Sequence, residues 1–193
     1  MPSRLRDNSG MVTQRLTRRL VSREYLSSMA TGLTSPNGSP PDPMPSVYQA
    51  VGGGEGVARL AAAWHARVLA DEVVSHAFSH GFQPDHTERL AAYWAEALGG
   101  PSAYSDRYGD ESFVVRLHSG NGVHEEMDRR AIACFDRALQ DAGLAGDEAL
   151  RRVLHDYFAW ATTSWMARYP LSADDVPDAL RIPRWSWDGL QAG

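Results

Sequence analysis

The chain has 193 residues, 43% hydrophobic, 22% charged and 9% aromatic, the composition of a soluble globular protein, and no stretch approaches the roughly 20 apolar residues of a membrane span. The net charge of −5 is uneven: residues 1–44 hold six arginines against Asp7, Glu24 and Asp42, so the rest carries about −8, which argues against nucleic acid as a partner. The single cysteine, Cys134, rules out a disulfide framework and points to the cytoplasm.

Residues 1–30 mix arginine with Leu, Val and Ser. Arg15, Arg18 and Arg19 interrupt every apolar run, so no signal peptide is read there and a disordered basic extension is expected. Residues 31–45 form a linker, because Pro36, Pro40, Pro41, Pro43 and Pro45 cannot continue a helix. The folded body therefore begins near Ser46, and the domain organisation reads as extension and linker 1–45, body 46–169 and tail 170–193.

Within the body the pattern is helical throughout. Val57, Leu60, Trp64 and Val68 share one helix face after the glycine cluster Gly52–Gly54 and Gly56. A short turn at about Asp71–Ala77 follows. His86, Leu90, Tyr93, Trp94 and Ala97 line the next helix, which opens after Pro84 and stops at Gly99–Gly100–Pro101. Residues 101–123 read as mostly loop, with one helical turn before His118. Met127, Ala131, Cys134, Phe135 and Ala138 stripe a third helix; Leu150 to Trp165 stripe a last long one, closed by Pro170. Trp185 and Trp187 alternate in the tail, a spacing that suits docking onto the body.

A loop of some 20 residues inside a compact domain is usually functional or held by something else. His118 ends the segment FVVRLH, and His65 and His86 lie on helices nearby in the pattern. A buried neutral imidazole is a good iron ligand, and an apolar crevice between short helices suits a haem. Burying about 400 Å² of porphyrin would contribute roughly 10 kcal/mol, enough to order the loop. Spacing alone does not establish this, since a lone histidine next to a loop is more often a solvated or capping residue.

The stretches SVYQAVGGGEG, HARVLADEV, HAF, ERLAAYWAEALGGPSAYS, RLH and DRRAIACF resemble the truncated haemoglobins, most closely their group II, over about residues 46–168. The resemblance implies an all-α, two-over-two helical globin sandwich around haem b. It further implies that His118 is the proximal iron ligand and that His65, Phe78, His86 and Leu90 line the distal side. Apart from the resemblance, Trp94 and Tyr104 are further candidate haem contacts. Arg116 is a candidate partner for a haem propionate. Three places depart from the family pattern: His65 stands where a tyrosine faces the ligand, Ala131 where group II has a distal tryptophan, and SGNGV follows His118 where the family often has an aromatic and an aliphatic residue. Three roles stay open for His65 and His86: hydrogen-bond donor to the ligand, direct iron ligand, or space filler.

Weaker candidates are read as structural. His76 and His80 stand four apart, without a third zinc ligand of fixed spacing; His80 is also a weak candidate for the haem edge. His124 suits a helix cap, His155 a partly buried polar position, and Cys134 the core. The expected function is reversible binding of O2, NO or CO at ferrous iron, in a monomer or homodimer served by a reductase. The alternative is a haem enzyme, a nitric oxide dioxygenase or peroxidase, with His65 or His86 as its acid–base group.

Overall fold

A computed structural model of the protein describes residues 43–79 and 81–192; residues 1–42, with the basic extension and most of the linker, and His80 lie outside the described residues. Seven α-helices lie among them: α1 (Val47–Val51), α2 (Gly53–Leu69), α3 (His86–Ala97), α4 (Ala103–Arg107), α5 (Glu111–Leu117), α6 (Glu125–Asp141) and α7 (Glu148–Trp160). Helix α2 packs on both α3 and α6, and α6 on α7, so two helix pairs are layered over each other. Between them Trp64, Trp94, Phe135 and Phe158 form one aromatic wedge, with the last two rings stacked at 4.2 Å.

Local chemistry sets the joints. A capping box between Ser46 and Gln49 starts α1, and Gly52 ends it at φ 100°. Gly56 lies so near α1 that a Cβ there would sit 1.9 Å from the Val51 carbonyl oxygen. At Gly100 a Cβ would meet the Ala95 carbonyl oxygen at 2.6 Å and the Tyr48 ring at 2.8 Å, so the joint after α3 is closed to any larger residue. The turn after α2 is tied by Asp71, which accepts from the backbone of Val73 and Val74, each at 3.0 Å, and pairs with Arg130 on α6 at 3.0 Å. That guanidinium holds the Asp71 carboxyl down at about 2. A 3-10 turn, Val74–Phe78, follows.

The segment read from sequence as mostly loop contains two helices, α4 and α5. Both are short, and the stripe that periodicity detects needs more turns than five or seven residues supply. Asp110 caps α5 by accepting from the Phe113 amide at 3.0 Å. His124, expected to cap α6, makes no side-chain cap bond; Glu125, Glu126 and Asp128 supply negative charge to that first turn.

Helix α7 widens into a π turn at Ala161–Trp165, and the chain returns over the body. Trp185, buried, packs on Tyr157 and Trp160 and begins a two-residue antiparallel ladder, β1 (Trp185–Ser186) with β2 (Gly189–Leu190). Trp187 donates its indole N–H to the Pro45 carbonyl at 2.7 Å. Arg184 donates to the carbonyls of Glu96 and Gly100, at 2.5 and 2.9 Å, and fastens the tail to the end of α3.

At the start of α5, Glu111 is completely buried. One carboxyl oxygen accepts from Tyr93 at 2.9 Å and from the Trp165 indole; the other has no partner among the described residues. Burial, helped by the charges of Asp110 and Glu96, pushes this carboxyl up to about 7 against the pull of its two donors. The folded protein therefore holds a proton that the unfolded chain, with a carboxyl near 4.5, has released. The resulting stabilisation is complete below about pH 4.5, declines as pH rises and is gone above about 7, a span worth on the order of 3 kcal/mol. Melting curves of Glu111→Gln and wild type across this range are expected to differ by that loss, with the glutamine variant flatter; parallel curves would refute the assignment.

Candidate haem site

His118 follows α5 as its C-terminal cap residue, with φ −101° and its amide donating to the Val115 carbonyl. Its Nδ1 lies 2.8 Å from the Val114 carbonyl oxygen. A carbonyl only accepts, so Nδ1 carries the proton and Nε2 keeps its lone pair. The same arrangement fixes ring orientation for a histidine that ligates a metal. Ser119 caps the same turn through the Val115 carbonyl at 2.7 Å.

The distal candidates gather into one cluster. His65, on α2, is buried; its ring centre lies 5.0 Å from His86, 5.5 Å from Phe78 and 4.6 Å from Phe82. Phe78 and Phe82 also flank His86, at 5.5 and 5.7 Å. Nδ1 of His65 meets the Thr87 hydroxyl at 2.7 Å. Nε2 of His65 and Nδ1 of His86 are buried with no hydrogen-bond partner among the described residues. Burial lowers the basicity of both rings, and the nearness of His65 and His118 lowers His86 further against the opposing pull of Asp85. Both shifts favour the neutral imidazole, which can offer a lone pair or an N–H. No group of three or more His, Cys, Asp or Glu among the described residues is arranged to hold a bare metal ion.

The other sequence candidates separate. Leu90 packs, partly buried, against the core. Trp94 belongs to the aromatic wedge, with Trp64 at 5.7 Å and Phe135 at 5.4 Å. Tyr104 is buried between Tyr93 and Tyr108 at 5.4 and 5.6 Å. Arg116 is occupied by the tail, bonding the Val176 carbonyl at 3.1 Å and Asp178 at 2.5 Å. At the position of the second departure, the Ala131 carbonyl accepts from the Trp64 indole at 3.4 Å. His76 is exposed, His155 pairs with Asp136 at 2.7 Å on the surface, and Cys134 is fully buried.

Sequence reasoning missed Phe82 and Thr87. Phe82 stands four residues beyond Phe78, the spacing of one helical face, yet the intervening chain leaves the 3-10 turn at Phe78. Thr87 offered no signal beyond its place beside His86.

A family model of bacterial-like globins matches residues 46–162. Solved structures similar to the chain include haemoglobins from Chloroflexus aurantiacus (27% identity, TM-score 0.53, covering 62% of this chain and 98% of that one) and Thermobifida fusca (28%, 0.55, 65% and 99%). The group II truncated haemoglobin of Bacillus anthracis shares the fold at 19% identity (TM-score 0.57, 67% and 95%). No curated protein sequence matches significantly. The chain belongs to the bacterial-like globins, haem-binding proteins that take diatomic gases, and its fold is that of the truncated haemoglobins.

Both distal imidazoles are expected to titrate below 6.5 in histidine NMR spectra, with the His86 midpoint rising in His65→Leu because a second ring no longer competes with it for a proton. A His86 midpoint that stays in place would mean the two rings do not sense each other.

Proposed function

We propose that this globin holds haem b between α5 and the His65–Phe78–Phe82–His86 cluster, with Nε2 of His118 on the iron, and that it binds O2 or another diatomic gas reversibly in the ferrous state. The observation that carries the reading is the His118 Nδ1 contact with the Val114 carbonyl, which leaves Nε2 bare. The buried, unpartnered nitrogens of His65 and His86 fit the same group, because a polar ligand between them would satisfy what the chain alone does not. Bound haem supplies an iron centre whose ferrous form takes up the gas. The chain's part is to fix the proximal ring, to keep water from the apolar cluster, and to place neutral imidazoles beside the ligand.

His118→Gly is expected to purify without the Soret band that wild type shows, and added imidazole to restore it. Equal colour in the glycine variant would remove the proximal assignment.

A charge-assisted hydrogen bond to the gas is worth roughly 1.5–3 kcal/mol, or about 10- to 100-fold in retention. Oxygen dissociation is therefore expected to speed up by about that factor in His65→Leu or in His86→Leu, and no change in either would exclude a donor role for both. A second reading, peroxidase chemistry or nitric oxide dioxygenation, draws support from the same buried neutral rings, which suit a proton acceptor. Peroxide consumption whose pH profile loses a histidine-like limb in one of these variants would favour the enzyme.

A further inference from the structure

His65 is held from one side only. Its Nδ1 lies 2.7 Å from Thr87 Oγ1, and that hydroxyl has no other hydrogen-bond partner among the described residues. Thr87 is half-buried near the start of α3, so its hydroxyl hydrogen can turn to water. Nε2 of His65 is buried and unpartnered, in a ring flanked by Phe78, Phe82 and His86.

A neutral imidazole carries one proton, and its two placements differ in what they leave buried. If Thr87 donates to Nδ1, the proton sits on Nε2 as an N–H without an acceptor. If Nδ1–H donates to Thr87, the hydroxyl keeps its hydrogen for solvent and Nε2 is a bare lone pair. Orphaned buried N–H groups are rarer than under-satisfied acceptors, and an unmade hydrogen bond costs most where no water reaches. The second arrangement leaves every donor matched.

We propose that Thr87 is a positioning residue that fixes His65 in the Nδ1–H tautomer, so that its buried Nε2 acts as a lone-pair acceptor in the distal cluster. The consequence for ligand chemistry rests on the haem reading above. His65 then accepts a proton or ligates iron, and the role of hydrogen-bond donor to the gas passes to His86. The tautomer itself does not depend on haem.

The test is a nitrogen–proton correlation spectrum of 15N-histidine-labelled protein in the ferrous carbon-monoxide form at about pH 8, where the ring is neutral and each nitrogen reads as protonated or bare. Wild type and Thr87→Ser are expected to show Nδ1–H at His65, and Thr87→Val to move most of the proton to Nε2. Nε2–H in wild type, or a Thr87→Val spectrum identical to wild type, would overturn the proposal. The wild-type spectrum alone decides if the valine variant does not fold. If the purified protein shows no Soret band, the same spectrum is taken without carbon monoxide, and Nδ1–H at His65 there would sink the haem reading and leave the tautomer assignment standing.

Discussion

Helix α5 spans seven residues, and a helix of two turns is not stable on its own in water. The proximal candidate hangs from the end of it, so the direction of the His118 ring depends on what clamps α5 from outside. The clamps come from both neighbours in the chain and distant ones. Tyr93 on α3 and Trp165 beyond α7 grip Glu111; the Leu180 amide donates to Ser112; the tail takes Arg116; and the amides of Gly120 and Gly122 reach the carbonyls of Tyr169 and Pro170. The tail thus belongs to the architecture of the site, although no tail residue stands among the distal or proximal candidates.

The same low-dielectric interior explains which groups are neutral and which are charged. Glu111 and His65 are buried and His86 is half-buried, and for each the cost of desolvating the charged form wins, over the pull of Asp85 in the case of His86, so each shifts toward its uncharged form. Charges appear where the body can pair them: Asp71 with Arg130 under the first turn, Glu96 with Arg184 under the tail, Arg67 with Asp141 at the surface. Exposed pairs such as the last contribute little to stability. Those near the joints fix geometry, since Asp71 also caps a turn and Arg184 also bonds two carbonyls.

Long elements were legible because their stripes run over several turns, as Val57–Leu60–Trp64–Val68 does on α2. Helix α4 was not, and α5 only as a single turn before His118, because a helix of two turns or fewer presents too few positions to show a period. The distal candidates His65, Phe78 and His86 rest on the resemblance, and the structure adds Phe82 to them by geometry alone. Glu111 carries no sign of burial in the sequence, since an acid in a first turn is the residue type that favours a helix N-terminus. Only packing reveals that Tyr93 and Trp165 enclose it. Arg116 illustrates the converse: its charge suited a propionate, but residues 176–178, far away in sequence, reach it. Contacts of that range leave no trace in local pattern.

Fold does not fix function within a globin family, so the distal departures carry the chemistry. An indole does come near the alanine at 131, but Trp64 is locked into the aromatic wedge and its N–H is taken by the Ala131 carbonyl, so it is not free to serve a ligand. On the proposed reading, polar contact with a gas then falls to His65 and His86. A phenol with a pKa near 10 stays protonated across the physiological range, whereas an imidazole has two nitrogens and one proton to place. Which nitrogen holds that proton then decides between donating, accepting and ligating, and a single threonine hydroxyl 2.7 Å away is enough to bias the choice.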